Sequence, residues 1–229
     1  WAKNSDITFI AGDSSKTISD YSITDGYPDN YKQLLEQKLN KYKEHFFDSA
    51  AMLHSIHYLF DSIDSLENLF TNFVYTLKSS SHLIITTLDG PTVYNLLKIN
   101  KELSGKVFDI DSNKNKTVWS IKPSEDLDLT KDELPNNINE GFNNNIKVMV
   151  ESIGNEYKES LVHPTLLISI AAKYGFKLLS SEEIKSKFTL FKNSTGLFKD
   201  LYKDYMKINP DDSIVDELGS DSNRQLKNY

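Results

Sequence analysis

Two histidines, His54 and His57, lie three residues apart in the sequence. Such a pair can lie on one side of a helical turn and bind a metal ion when a carboxylate completes the site. No obvious carboxylate stands in register with them, and the chain has no cysteine, which excludes disulfides, thiolate metal sites and cysteine nucleophiles. We therefore predict no metal site and interpret both histidines as pocket or helix-start residues.

Several motifs with well-understood chemistry are missing from the sequence. No Gly-x-Gly occurs anywhere, so the glycine-rich turn that opens a dinucleotide site is not present. There is no Gly-x-x-x-x-Gly-Lys-Ser/Thr and no Gly-x-Ser-x-Gly. At the level of motifs this excludes a P-loop nucleotide site and the nucleophile elbow of a Ser-His-Asp hydrolase.

The elements that must position any site alternate between strand and helix. Short apolar runs predict buried strands, and apolar residues at steps of three and four from Leu59 to Leu77 predict a long helix packed on a sheet. This order predicts an α/β fold with a mostly parallel sheet. The predicted elements of this part are strands at 7–11, 46–53 and 82–87 and helices at 31–43, 59–77 and 92–99.

Candidate site residues follow these strands. In parallel sheets ligands bind beyond the carboxyl ends of the strands. Asp13 and Ser14 follow the first strand, Met52 to Tyr58 follow the second, and Thr87 to Gly90 follow the third. We expect the three segments to converge in space, although Asp13 or Ser14 could equally cap a helix.

The second half of the chain is less regular. Residues from about 105 to 150 predict a β-rich insertion with strands at 106–108, 117–121 and 147–150. After it we predict a helix at 164–174, a strand at 176–179, a helix at 196–208 and a mobile acidic tail at 210–229. The chain is interpreted as one domain over residues 1–229.

Composition and net charge limit the kinds of partner that the chain can bind. The 229 residues carry 26 Lys and Arg against 33 Asp and Glu, a formal net charge of −7, which disfavours non-specific duplex binding. No apolar run approaches the roughly 18 residues of a membrane span, so we expect no membrane partner. The chain begins with Trp1, and we expect it to be a piece of a longer polypeptide.

Four stretches of the chain, in their order along the sequence, resemble the messenger-RNA cap guanine-N7 methyltransferases. They are most similar to the viral members of the family, such as the capping enzymes of poxviruses and giant viruses. They extend over roughly 170 residues, and each is weak alone. The stretches are Phe9-Ile10-Ala11-Gly12-Asp13-Ser14-Ser15-Lys16, Phe47-Asp48 followed by His57-Tyr58-Leu59-Phe60-Asp61-Ser62, Leu83-Ile84-Ile85-Thr86-Thr87-Leu88-Asp89-Gly90, and Glu159-Ser160-Leu161-Val162 followed by Ala172-Lys173-Tyr174-Gly175-Phe176-Lys177-Leu178.

The resemblance implies a Rossmann-like class I methyltransferase sheet with helices on both faces, of which this chain is the distal part. It implies transfer of a methyl group from S-adenosylmethionine to N7 of the guanosine cap of RNA. His57, Tyr58 and Glu159 would bind the cap guanine. The residues implied for the S-adenosylmethionine site are Asp13, Ser14, Leu53 and His54.

The implied partners are 5′-capped RNA and either triphosphatase and guanylyltransferase domains upstream in one longer chain or an activating subunit. The implied location is intracellular: the virion or host cytoplasm for a viral protein, the nucleus for a cellular one.

Other interpretations of the same residues stay open. The family's glycine-rich turn is not in this sequence, and its Gln-Phe before His-Tyr is replaced by Leu53-His54. A non-catalytic methyltransferase-like subunit that stabilises a capping enzyme, or a methyltransferase for another small substrate, would fit these departures. Glu159 could be an exposed loop residue, and His57 and Tyr58 ordinary helix-start residues. Lys32, Lys38, Lys41 and Lys43 could touch RNA or form a solvated helix face.

Overall fold

A computed structural model describes residues 8–42, 47–109 and 113–187, together with the single residues 196, 197, 200, 203 and 207. The chain divides into two compact units, Trp1–Gly175 and Phe176–Tyr229. The predicted helix at 196–208 and the predicted tail at 210–229 lie almost entirely outside the described residues. No helix among those described is long and apolar enough to cross a membrane.

The first unit contains helices and strands in mixed order. We number helices and strands separately along the chain; two short 3-10 helices, Ser22–Thr24 and Ile56–Leu59, carry no number. The elements are α1 (Asp29–Tyr42), β1 (Phe47–Leu53), α2 (Ile63–Thr76), β2 (Leu77–Thr86), α3 (Gly90–Asn100), β3 (Leu103–Asp109), β4 (Lys114–Pro123), β5 (Asn145–Val150), β6 (Glu156–Ser160) and α4 (Pro164–Lys173). The second unit contributes α5 (Ser181–Lys187).

Strands β1 and β2 form a parallel pair joined by helix α2, as the sequence predicts. Ala50 pairs with Leu83, and the ladder ends at Leu53 opposite Thr86. Helix α2 begins after Ser62, whose hydroxyl accepts a hydrogen bond from the Ser65 amide at 3.2 Å and satisfies one of the free amides of the first turn. The carboxyl ends of both strands therefore open at the same edge, where a ligand of an α/β sheet binds.

A second, antiparallel sheet has the strand order β3-β4-β5-β6. One of its faces packs on α3, where Tyr94, Leu97 and Ile146 are almost completely buried. The segment that we interpreted as an insertion is rich in strands, which run from residue 103 to residue 160 rather than from 105 to 150. Within the described residues, the fold is thus a mixed α/β arrangement of one parallel and one antiparallel sheet.

A tight turn at residues 151–155 joins β5 to β6. The amides of Ile153 and Gly154 both donate to the Val150 carbonyl oxygen, at 3.0 and 3.1 Å. Gly154 has a φ of 82°, in the left-handed region where only glycine avoids strain. The turn sets which residue of β6 lies opposite which residue of β5, and it places Ile146 opposite Glu159.

One close contact joins the end of the parallel pair to the end of the antiparallel sheet. The Gly90 amide, at the start of α3, donates to the Val162 carbonyl oxygen at 3.0 Å. A Cβ atom on Gly90 would lie 2.4 Å from that oxygen, so only glycine fits. Leu161 and Val162 are buried beside it. Two stretches that carry the family resemblance, 83–90 and 159–162, therefore meet here.

Two predicted strands are wrong, and one strand was not predicted. Residues 8–11 form no strand, and Phe9 is 85% exposed; the next residues turn instead, with the Asp13 amide bonded to the Ile23 carbonyl. Residues 176–179 are irregular and lead into α5, which the sequence did not predict. Strand β6 was missed altogether. Apolar composition makes a strand only where another strand can complete its hydrogen bonds.

Candidate functional site

A pocket of about 180 Å³ lies between the 3-10 helix after β1 and the edge strand β6. This volume is below that of typical sites for small molecules, about 300–1,000 Å³, and suits a single planar base better than a whole dinucleotide. The pocket is lined by His57, Tyr58, Asp61, Asn143, Asn145, Lys158, Glu159 and Ser160. Three of them, His57, Tyr58 and Glu159, are the residues that we expected to bind guanine.

His57 is fixed by the burial of its neighbours. Ile56 and Leu59 anchor the 3-10 helix in the core, and His57 itself is buried. Its Nε2 atom has no hydrogen-bond partner among the described residues, and the Glu159 Oε2 atom is 3.5 Å away. An unpartnered buried nitrogen is costly, and a bound ligand or water would satisfy it.

Glu159 faces His57 from near the end of β6, with only 14% of its side chain exposed. Burial raises the pKa of the Glu159 carboxyl above its ordinary value. Burial, together with His54, lowers the pKa of the His57 imidazole. Both shifts disfavour the charged forms of the two groups. The carboxylate is therefore poised to gain from a ligand that brings hydrogen-bond donors into the pocket.

Tyr58 lies at the rim of the pocket. Its side chain is 57% exposed, and its ring centroid is 4.1 Å from that of His57. Burial of the hydroxyl and the nearby acidic side chain of Glu159 raise the pKa of the Tyr58 phenol, so it stays protonated. An exposed aromatic face beside a carboxylate can stack on a planar base while the carboxylate binds the edge of the base.

A chain of hydrogen bonds holds β6 against the 3-10 helix. The Ser160 hydroxyl donates to Asn145 Oδ1 at 2.9 Å, and Asn145 Nδ2 donates to Asn143 Oδ1 at 2.6 Å. The backbone N–H of Asn143 in turn donates to the backbone carbonyl oxygen of Phe60 at 2.8 Å. Asn145 and Ser160 are buried. This network fixes the distance between the strand that carries Glu159 and the helix that carries His57.

Lys158 brings a positive charge to the pocket. Its Nζ atom is 2.8 Å from Asp126 Oδ2. Hydrogen bonds from Lys158 and Ser124 hold the pKa of the Asp126 carboxyl well below its usual range, so this carboxylate is charged at neutral pH. Among the described residues that line the pocket, Lys158 alone has a permanent positive charge.

The residues expected at the methyl-donor site lie outside this pocket. Leu53 ends β1 and is 61% exposed, and His54 has a positive φ of 49°. The His54 amide donates to the carbonyl oxygen of Thr86 at 2.9 Å and so joins the ends of β1 and β2. The Thr87 hydroxyl, just beyond, is buried and has no partner among the described residues.

Asp13 shapes a local turn. Its Oδ1 atom accepts hydrogen bonds from the amide and the hydroxyl of Ser15, at 3.0 and 2.7 Å, and these bonds lower the pKa of the Asp13 carboxyl. The interpretation of Asp13 or Ser14 as a helix cap is wrong, because this turn leads to no α-helix before Asp29. Asp13 Oδ1 is therefore occupied by its own turn.

The turn that follows is fastened to helix α2. Asn72 is buried on α2; its Oδ1 accepts from the Ile18 amide and its Nδ2 donates to the Lys16 carbonyl, both at 2.7 Å. Asn68, one turn earlier on α2, donates to the Ser15 carbonyl at 2.8 Å. Two asparagine side chains of α2 thus hold the turn at residues 15–18 in place.

Five residues of the pocket were missed by sequence reasoning. Asp61, Lys158 and Ser160 stand within or beside stretches that carry the resemblance, so proximity in sequence could have indicated them. Asn143 and Asn145 belong to an asparagine run with no pattern that distinguishes them. Within the part of the chain that the structure describes, no group of three His, Asp or Glu side chains is placed to hold a metal ion.

Comparison with known proteins gives one informative similarity. No protein-family model matches the chain. The chain is 30% identical over 186 residues to the probable mRNA-capping enzyme of Acanthamoeba polyphaga mimivirus. The aligned region covers 80% of this chain but 15% of the viral protein. The chain is thus a distant relative of one segment of that protein.

Proposed function

We propose that the chain is the distal part of a Rossmann-like class I methyltransferase domain acting in mRNA capping. Its reaction would be methyl transfer from S-adenosylmethionine to N7 of the guanosine cap. The similarity to a probable mRNA-capping enzyme supports a part in capping. The pocket around Glu159 supports guanosine as the acceptor.

The placement of Glu159 opposite His57 is the observation that carries the proposal. Guanine presents two adjacent donors, N1–H and the N2 amino group, and one ionised carboxylate can accept both. Adenine lacks that edge. Because burial disfavours the Glu159 charge in the empty pocket, two donors from guanine would recover more free energy than at an exposed carboxylate. The His57 Nε2 atom lies 3.5 Å from Glu159 Oε2, so His57 would be a second polar neighbour of the edge of the base.

Tyr58 would supply the apolar part of recognition. Its exposed ring at the rim can stack on the face of the base, an interaction worth about 1–3 kcal/mol for a nucleobase. The small pocket would hold the base alone and leave the ribose and phosphates outside.

This arrangement suits transfer to N7. The N7 atom carries a free lone pair, so the reaction needs no general base, and catalysis can come from positioning and electrostatics. Methylation makes the base cationic, and the acidic side chains of Glu159 and Asp61 at the pocket would favour that charge. For this reaction these residues therefore need only hold the base at a fixed distance and angle.

The ends of β1 and β2 would hold the methyl donor. S-adenosylmethionine supplies an electrophilic methyl group on a sulfonium. Leu53 offers an exposed apolar surface, and the unpartnered Thr87 hydroxyl offers a buried polar atom at the same edge. Asp13, Ser14 and His54 are proposed as further contacts, with Asp13 acting through the carboxylate oxygen not bonded to Ser15.

The proposed partners follow from the reaction. The acceptor would be 5′-capped RNA, and triphosphatase and guanylyltransferase domains or an activating subunit would supply or support it. The proposed location is the compartment where that RNA is made: the virion or host cytoplasm for a viral protein, the nucleus for a cellular one.

The test is methyl transfer from labelled S-adenosylmethionine to guanosine-capped RNA, using the longest form of the polypeptide that contains this chain. Label should appear in 7-methylguanosine and be lost in Glu159→Ala. Glu156→Ala is the matched control, because Glu156 lies on the same strand, outside the pocket, and should leave transfer unchanged. A polypeptide with a glycine-rich donor segment that transfers no label would instead support the non-catalytic subunit.

A further inference from the structure

Three lysines lie side by side across the antiparallel sheet. Lys122 on β4 pairs with Lys147 on β5, and Lys147 pairs with Lys158 on β6. Residues directly opposite each other in an antiparallel sheet point to the same face. Neighbouring strands are about 4.8 Å apart, so the backbone positions of the lysine row, as we call Lys122, Lys147 and Lys158, span about 10 Å.

The lysine row lies on the face of the sheet opposite the core. Ile121, Ile146 and Val148 alternate with the lysines along β4 and β5 and pack toward α3. Asn145 and Ser160 share the lysine face, and both line the pocket. Glu159, opposite Ile146, points to the other face, so the pocket lies around the edge strand β6. Lys158 lines the pocket from the lysine face, and the other two lysines lead away from it.

Each lysine of the row forms an ion pair with a carboxylate that lies outside the strands. Lys122 is 4.0 Å from Glu102, Lys147 contacts Glu125, and Lys158 is 2.8 Å from Asp126. Like charges placed directly opposite destabilise a sheet. Ion pairs at a solvent-exposed surface contribute little to stability. A ligand with several negative charges could therefore take the place of these carboxylates along the row.

We infer that the lysine row binds the phosphate backbone of an RNA strand whose terminal guanosine lies in the pocket. The identity of that terminal nucleoside rests on the proposed function. A base held between Tyr58 and Glu159 leaves its phosphates outside a pocket of this size, beside Lys158. The following phosphates then pass Lys147 and Lys122. This row gives a net acidic chain a local, ordered contact for a polyanion.

The experiment measures binding of a short single-stranded RNA, about ten nucleotides, at increasing salt. For single strands the logarithm of the binding constant falls by about 0.7 per phosphate contact for each tenfold rise in salt. Three contacts therefore account for a loss of about twentyfold between about 50 and 200 mM salt. The triple variant Lys122→Gln, Lys147→Gln, Lys158→Gln should lose that part of the salt dependence.

A matched control replaces three lysines that also pair with carboxylates elsewhere: Lys78→Gln, Lys131→Gln and Lys173→Gln. It makes the same change in net charge and should keep the slope of the parent. Equal slopes for both triple variants, or no RNA binding by the parent, would overturn the lysine row as an RNA contact.

Capped and uncapped RNA separate this inference from the proposed function. The parent should prefer capped RNA, and Glu159→Gln should lose that preference while keeping the salt slope. If the parent binds both RNAs alike and the slope still depends on the lysine row, the row stands and the guanine pocket is refuted. Thermal melts of every variant confirm that each is folded.

Discussion

Replacing Glu159 by glutamine would change the two charge-assisted hydrogen bonds that we propose with guanine, and little else. The substitution keeps the length and shape of the side chain. Its amide offers guanine one acceptor oxygen and one NH₂ group, and the NH₂ would face a donor of the base. Hydrogen bonds to charged groups are worth about 1.5–3 kcal/mol each, so losing the charge and one acceptor should cost about 3 kcal/mol. That cost corresponds to roughly 100-fold weaker binding.

Stability of the free protein should change in the opposite direction. The pKa of Glu159 is raised in the folded state by burial, from an ordinary value of 4.5. A carboxyl with a raised pKa stabilises the fold fully only below its unfolded pKa, and that contribution is lost as pH rises through the folded value. At pH 7 the buried charge therefore costs stability. Glu159→Gln removes the charge, so its unfolding midpoint should equal or exceed that of the parent.

The assay is calorimetric titration with a capped dinucleotide and with its adenosine counterpart, accompanied by thermal melts. Glu156→Gln, on the same strand, controls for loss of charge alone. The reasoning is refuted if Glu159→Gln binds within about threefold of the parent. It is also refuted if the preference for guanosine over adenosine persists, or if the variant melts at a distinctly lower temperature.

Four further predictions concern single positions. Tyr58→Ala should weaken binding of the capped dinucleotide by about 1–3 kcal/mol in calorimetry but leave the melting temperature unchanged, because the side chain is 57% exposed; a comparable loss of stability would contradict a role in stacking. His57 has a pKa lowered from 6.5, so the free energy of unfolding should fall as pH drops below 6.5 toward that lowered value, and His57→Gln should flatten this part of a denaturant–pH series. Asn72→Ala removes two short hydrogen bonds and should cost about 2–3 kcal/mol in denaturant unfolding; an unchanged midpoint would mean that the turn is held by other contacts. Gly90→Ala should cost about 1–3 kcal/mol in the same measurement, because the new Cβ would lie 2.4 Å from the Val162 carbonyl oxygen.

The spacing of apolar residues predicted the helices and strands whose buried face is formed by residues close together in the sequence. The stripe of α2 and the β-branched run of β2 each carry their own apolar face, and both are confirmed within a few residues. Strand β6 carries no such face, because Glu156, Tyr157 and Lys158 are exposed. It becomes a strand only because β5 offers it hydrogen bonds, and pairing between strands is not written in the composition of either one.

The residues of the pocket differ in the same way, because some could be predicted from the local sequence and others could not. His57 and Tyr58 stand together in a recognisable dipeptide, so resemblance could point to them, and it also pointed to Glu159. The contact between His57 and Glu159 depends on the path of β6 and on the hydrogen bonds of Asn145 and Ser160. Those bonds join residues far apart in sequence, and asparagine and serine have too many ordinary uses for their presence alone to signal a network.

The turn at residues 151–155 has a consequence for how this protein can change over time. Side chains alternate between the two faces of a strand, so a shift of one residue exchanges every side chain of β6 with its neighbour. If the turn keeps its geometry, adding one residue would turn Glu159 to the face where Lys158 now lies and put Lys158 opposite Ile146 in its place, whereas removing one residue would put Ser160 there. Apart from Gly154, whose positive φ demands glycine, and Glu151, which pairs with Lys116, the residues of the turn lie at an exposed loop, where substitutions are generally tolerated. Its length is therefore under stricter selection than its sequence, and substitutions should accumulate there freely while insertions and deletions of one residue should not.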